Sequence, residues 1–328
     1  MSKALIVGGA GYIGAHCCKA FAQSGWEVVA FDDLSRGWRD AVRWGPLIEG
    51  NLLDGKAIGA AVRDAGPDVV IHLAAFAYVG ESVTDPALYY RNNSVGTLNL
   101  LDAMRDAGSQ SLIFSSSCAV YGNPVVLPIE ETHPRLPINP YGRSKLSAEM
   151  MIEDYSRAYG SRAVSLRYFN AAGADPDLEI GERHQPETHL LPLAIEAAFE
   201  PSAELVVMGT DFDTPDGTAL RDYIHVTDLA EAHVAAAKFL QATIGYHAFN
   251  LGTGQGTSVL EVIGAVERAS GKPPSYRPGP RREGDPAQLI ASSSKANQEL
   301  GWEATMSDID TIARSAVAWR LRSESRPS

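Results

Sequence analysis

Residues 4–32 restrict the fold more than any other stretch. The apolar run ALIVGG (4–9) breaks into Gly8, Gly11 and Gly14, a helical pattern follows over 12–24, and a second apolar run, EVVAFD (27–32), ends on Asp32. Glycine at this spacing lets the backbone turn sharply at a strand end and lets the next helix pack close to it. Strand, glycine turn, helix and strand in that order make a βαβ unit with parallel strands.

The alternation continues with apolar runs at 46–50, 68–75, 111–117 and 163–169, and helical patterns at 55–65, 86–107 and 140–159. The runs are continuous rather than alternating, as in strands buried on both faces. Past residue 169 the regularity weakens. A polar, turn-rich stretch leads to the helical LLPLAIEAAFE and the strand-like ELVVMG, and a helix over 227–241 with the strand HAFNLG (247–252) returns to the first pattern. From 254 onward the chain reads as helices with loops between. The expected architecture is α/β: a doubly wound parallel (Rossmann) sheet with a smaller, interleaved α+β lobe. Residues 1–169 plus about 220–252 form the first unit and about 170–219 plus 253–320 the second. Residues 321–328 read as a frayed tail.

A length of 328 residues suits two lobes better than one core. The net charge of -12 argues against nucleic acid and anionic membrane as partners. No run of 18 apolar residues predicts a membrane span. Cys17 and Cys18 are neighbours and cannot staple a fold, and with Cys118 they indicate a reduced, cytoplasmic chain. No cysteine or histidine spacing gives a metal site; His184 and His189 fall in a polar loop.

Two constellations carry chemistry. In the first, Gly8, Gly11 and Gly14 let a pyrophosphate approach the backbone and the free N–H groups of the helix start. Asp32 lies 18 residues after Gly14, where a carboxylate binds a ribose diol and repels a 2′-phosphate, which favours NAD over NADP. Arg36, close by, weakens that exclusion. A glycine turn that merely packs is the competing reading; the strand, helix and acid around it favour nucleotide binding. In the second constellation, PINPYGRSK (137–145) places Asn139 as a helix cap, Pro140 in the first helical position, and Tyr141 and Lys145 on one face, about 6 Å apart along the axis. A free phenol, with a pKa of about 10, is a weak base. The Lys145 ammonium, the helix N-terminus and an oxidised nicotinamide would each favour the phenolate. Tyrosine and lysine at this spacing are common in helices. What raises the pair is Ser117, at the end of SLIFSSS, where strand ends form the ligand crevice.

Glycine turn, strand-end serine and Tyr-x-x-x-Lys together resemble the extended short-chain dehydrogenase/reductase family. GGAGYIGAH, VGESV, NNSVGTLNLL, SSSCAVYG, LRYFNAAGA, DGTALRDYIHV, NLGTG and RREGD are similar to its UDP-glucose 4-epimerase (UDP-galactose 4-epimerase) branch, over about residues 3–315. The resemblance implies inversion at C4 of UDP-glucose and UDP-galactose through a 4-keto sugar, with NAD taking hydride and returning it. It implies Tyr141 as base, assisted by Ser117 and Lys145. It places NAD against Gly8, Gly11, Tyr12, Ile13, Gly14, Asp32, Asn51, Leu52, Leu73, Ala74, Asn93, Tyr141, Lys145 and Tyr168. It places the UDP-sugar against Ser117, Tyr141, Asn170, Leu190, Met208, Arg221, Arg282, Asp285 and Leu289. It also implies a homodimer paired through the helices at 86–107 and 140–159. For Arg221 a structural ion pair is a fair competing role.

Three positions depart from the branch. Asn51 stands where an aspartate usually meets the adenine, Ala77 where a lysine is common, and Leu289, of intermediate bulk, at the position that gates pocket size. UDP-pentose, UDP-GlcNAc and UDP-uronate 4-epimerases share the chemistry and remain open. A nucleotide-sugar dehydratase or decarboxylase would need acids where Cys118 and Ala119 stand. A non-catalytic NAD-binding regulator would not need Ser117, Tyr141 and Lys145 together.

Overall fold

The computed structural model describes residues 1–282 and 285–324. From β1 (Lys3–Val7) the chain runs through α1 (Tyr12–Gln23), β2 (Glu27–Asp32), β3 (Leu47–Glu49), α2 (Gly55–Ala65), β4 (Val69–His72), α3 (Val79–Thr84), α4 (Pro86–Tyr89), α5 (Gly96–Ala107), β5 (Ser111–Ser117), α6 (Pro140–Tyr159) and β6 (Arg162–Tyr168). It continues through β7 (Asn170–Ala172), α7 (Leu190–Phe199), β8 (Leu205–Met208), β9 (Leu220–Arg221), β10 (Tyr223–His225), α8 (Val226–Ala242), β11 (Tyr246–Leu251), β12 (Thr257–Ser258), α9 (Val259–Ser270), β13 (Tyr276–Gly279), β14 (Gln288–Leu289) and α10 (Ile309–Glu324).

Seven strands form one parallel sheet in the order β3-β2-β1-β4-β5-β6-β11. Its strands are mostly apolar because both faces are covered, with polar residues gathering toward the carboxyl ends of β5 and β6. Ile6 and Val164 pack with Cys17, Phe21 and Leu229 on the α1/α8 side, while Leu5 and Leu112 pack with Ile58, Leu100 and Ile152 on the α2/α5/α6 side. The strand order reverses between β1 and β4, and at such a switch point the carboxyl ends of the strands open a crevice. α6, which borders it, starts cleanly. The Asn139 side chain accepts from the Gly142 N–H at 2.8 Å, Pro140 occupies the first position, and Gly160 (φ 71°) ends the helix.

The smaller lobe is built on three short sheets: β7 with β10, β12-β9-β14, and β8 with β13. Its core joins α7, α9 and α10 through Leu191, Val262, Val266 and Ile312.

Three expectations need correction. The 86–107 helix is not uniform: residues 90–95 form a wider π-helical stretch between α4 and α5, and such stretches recur at functional sites. Among its described residues the region after 254 holds three strands as well as helices; each spans two to four residues, too short for a periodic signal. The tail does not fray at 321. α10 continues to Glu324, held near its end by buried Trp319 and the Arg320–Glu200 ion pair at 2.8 Å. Residues 325–328 lie outside the described part.

Candidate active site

The carboxyl ends of the sheet and the smaller lobe enclose a cavity of about 1430 Å³. That exceeds the usual pocket of roughly 300–1,000 Å³ for one drug-sized ligand. On the sheet side it is lined by Gly8, Gly11, Tyr12, Ile13, Gly14, Asp32, Leu52, Leu73, Ala74, Ser117, Tyr141, Lys145 and Tyr168; on the other side by Asn170, Leu190, Met208, Arg221, Arg282, Asp285 and Leu289.

The glycine turn suits a dinucleotide. Gly8 adopts φ +89°, and a side-chain carbon there would sit 2.5 Å from the Ala74 nitrogen. One on Gly14 would sit 1.9 Å from the Gly8 carbonyl oxygen. Only glycine lets turn, helix and β4 approach this closely. No side chain caps α1 at Gly11, so the helix start presents its N–H groups to the cavity. The Asp32 carboxylate is fixed at the tip of β2 by the N–H groups of Ala10 (3.0 Å) and Leu34 (2.8 Å), and burial raises its pKa.

Ser117 ends β5 and Tyr141 occupies the first turn of α6, so strand and helix bring the two hydroxyls together. Burial pushes the phenol up to about 12, against a hydrogen bond from Ser117 that favours the phenolate. Lys145 is buried one helical turn on, and its ammonium donates to the Ser115 carbonyl at 2.7 Å. Burial brings it down to about 7, partly offset by Glu149. In this structure burial is the largest influence on the phenol, and the Lys145 ammonium donates to the backbone. Behind the pair, fully buried Glu149 accepts from both ends of the Arg167 guanidinium (2.8 and 2.7 Å), from the Ser116 hydroxyl (2.6 Å) and from Arg135 (3.1 Å).

On the opposite wall Arg221 and Asp285 pair with each other at 2.5 Å. Leu289 on β14 lies in register with Arg221 on β9, so a short parallel bridge places the two side by side. Asp222, the nearer acid in sequence, instead accepts backbone N–H groups of Thr253, Gly254 and Ala291.

Two assigned residues do not line the cavity. Asn51 is exposed, donating to Asp33 at 2.7 Å, and Asp33 is on the wall in its place. Asn93 is buried in the π-helical stretch and bonds both the N–H and the C=O of Phe76 and the Ser144 hydroxyl. It fastens the β4 loop to α6, and its neighbour Asn92 faces the cavity. Sequence reading also missed a cation on the Ala77 wall. Arg36 lies over the rings of Phe76 (4.0 Å) and Tyr78 (4.8 Å) and pairs with Glu81 at 2.7 Å. The signal was present in the aromatic spacing of AAFAYVGES, but the partner lies 45 residues away.

The polar loop before α7 also reaches this wall. His184 and His189 converge on Glu182 and Glu187. Burial disfavours both charged rings, yet the carboxylates prevail and hold them at about 9 and 10.

A glycine turn before a bare helix start, an acid closing β2, and serine, tyrosine and lysine at the sheet's edge define an NAD-dependent epimerase or dehydratase. The model of the NAD dependent epimerase/dehydratase family matches residues 4–252, and the chain belongs to that family. It is 49% identical over 320 residues to the UDP-glucose 4-epimerase of Rhizobium leguminosarum bv. trifolii, covering 97% of each chain. The crystal structure of UDP-glucose 4-epimerase from Brucella ovis in complex with NAD matches with a TM-score of 0.94 and 52% identity, covering 97% of this chain and 98% of that one. That of UDP-glucose-4-epimerase from Stenotrophomonas maltophila with bound NAD and formylated UDP-arabinopyranose matches with a TM-score of 0.95 and 39% identity, covering 99% and 100%.

Proposed function

We propose that this protein interconverts UDP-glucose and UDP-galactose by inversion at C4 through a 4-keto intermediate. The observation that supports it most is one cavity shared by the glycine turn, the Ser117–Tyr141–Lys145 group and the arginines Arg221 and Arg282. The unit of residues 1–169 with 220–252 holds NAD, and that of 170–219 with 253–320 holds the UDP-sugar. Bound NAD supplies a hydride acceptor and a cationic ring.

The chain's own residues handle the proton. Tyr141 takes it from the sugar 4-hydroxyl and returns it when the carbonyl is reduced. Ser117, which lines the cavity with Tyr141 and favours its phenolate, carries part of that transfer. Arg221 and Arg282 grip the diphosphate, for which guanidinium offers paired N–H donors, and Asp285 takes the uridine ribose. Cys118 and Ala119 offer no acid for dehydration, since burial keeps the Cys118 thiol up at about 12.

Exposed Val83, Tyr90, Val95, Leu98 and Met150 on α3–α6 support pairing of two copies through those helices. Among the described residues no helix is long and apolar enough to cross a membrane, and three free cysteines support a reducing cytoplasm.

A second reading, a UDP-pentose 4-epimerase, is favoured by Leu289 on the cavity wall and by the pentose nucleotide named with the Stenotrophomonas maltophila structure. A panel of UDP-glucose, UDP-GlcNAc, UDP-xylose and UDP-glucuronate, run on wild type and Leu289 variants, separates the readings. Turnover of none of them would overturn both.

A further inference from the structure

Between β7 and α7 the sequence runs Glu182-x-His184-x-x-Glu187-x-His189. The loop folds these four side chains onto one point. His184 Nδ1 lies 3.3 Å from a Glu182 oxygen and 3.4 Å from a Glu187 oxygen; His189 Nδ1 lies 2.9 Å from each carboxylate. One donor atom from each residue falls within 4.8 Å of all the others. Four-coordinate zinc, with bonds of roughly 2.0–2.2 Å to imidazole and carboxylate, spaces its donors about 3.3 Å apart.

We propose that Glu182, His184, Glu187 and His189 bind one divalent cation of the zinc class. Two carboxylates and two imidazoles match such a cation in charge and in ligand type. Among the described residues Glu182, only 7% exposed, has no lysine or arginine partner. Arg183, between the ligands in sequence, turns away to Asp40 at 2.6 Å. The Glu187 carboxylate is oriented by the N–H groups of Thr188 (2.7 Å) and His189 (2.8 Å), the outer support that metal ligands need. The nearby group of Asp175, Asp177 and Glu179 differs, because the Lys19 ammonium fills it at 2.7–2.8 Å.

Four protein donors close the coordination shell, so the cation is structural rather than catalytic. It fastens the loop to the cavity wall. The His184 ring meets Tyr12 and Tyr78 edge-on at 6.2 and 6.1 Å, and Tyr12 opens α1 directly after the glycine turn.

The test uses the full chain, stripped by chelator and titrated with zinc chloride by calorimetry, then with cobalt(II) by visible absorption. Wild type is expected to take up one zinc per chain, to give the intense absorption of four-coordinate cobalt, and to melt at higher temperature with zinc. The His184→Ala/Glu187→Gln double variant is expected to lose about 100-fold or more in zinc affinity, at least the upper cost of outer-shell changes alone. Its NAD content and circular dichroism report folding. If it fails to fold, His184→Gln is expected to lose the cobalt absorption. A wild type that takes up no stoichiometric zinc, or variants that bind zinc as wild type does, would overturn the proposal.

Discussion

Lys145 donates to the backbone carbonyl of Ser115, 2.7 Å away, one helical turn from Tyr141. The ammonium thus braces the end of β5. Because burial holds Lys145 at about 7, well under its usual value of about 10.4, the cofactor-free protein has a defined pH signature. Between those two values the unfolded chain binds a proton that the folded one has released. Stability therefore rises with pH from about 7 to about 10. Urea unfolding of wild type minus Lys145→Met should show that rise; a flat difference across the window would contradict the assignment.

The phenol itself is the acid–base group. Tyr141→Phe should lower kcat by about 10³–10⁴-fold with NAD content unchanged, and Ser117→Ala by about 10²-fold, the range for one positioned proton donor or acceptor. Turnover of UDP-galactose and nucleotide released on denaturation are the two readouts. Undiminished turnover in Tyr141→Phe would remove Tyr141 from the mechanism.

Gly14→Ala puts a carbon 1.9 Å from the Gly8 carbonyl, a clash with backbone that no rotamer relieves. Overpacking of this kind costs roughly 1–3 kcal/mol or more. The variant should purify without bound NAD and melt below wild type.

Glu149 is fully buried and bound by two arginines, one of them, Arg167, also buried. Glu149→Gln leaves the Arg167 charge uncompensated, at a cost of about 3–5 kcal/mol. It also removes the charge that raises the pKa of Lys145, so the Lys145 titration should move lower still. Denaturation midpoints across pH report both effects.

What was legible in the sequence was local. Gly8, Gly11 and Gly14, the Asn139-Pro140 helix start and the continuous apolar runs each announce a structure set by neighbours in the chain. What was not legible depended on partners far apart. Asn93 is recruited to Phe76 and Ser144, 17 and 51 residues away. Arg36 stacks on a loop that enters from β4, and Arg221 finds Asp285 rather than its neighbour Asp222. The histidines before α7 are a different case. Their four-residue separation is that of a zinc-finger histidine pair, but no spaced cysteine pair accompanies it in the sequence, and only the folded loop brings Glu182, His184, Glu187 and His189 to one point.

The central claim is that hydride leaves and returns at C4 inside one closed site. Purified protein incubated with UDP-galactose in D₂O and followed by proton NMR tests it directly. The account predicts conversion to a mixture with UDP-glucose and no deuterium at C4. Absence of interconversion, or deuterium appearing at C4, would contradict it.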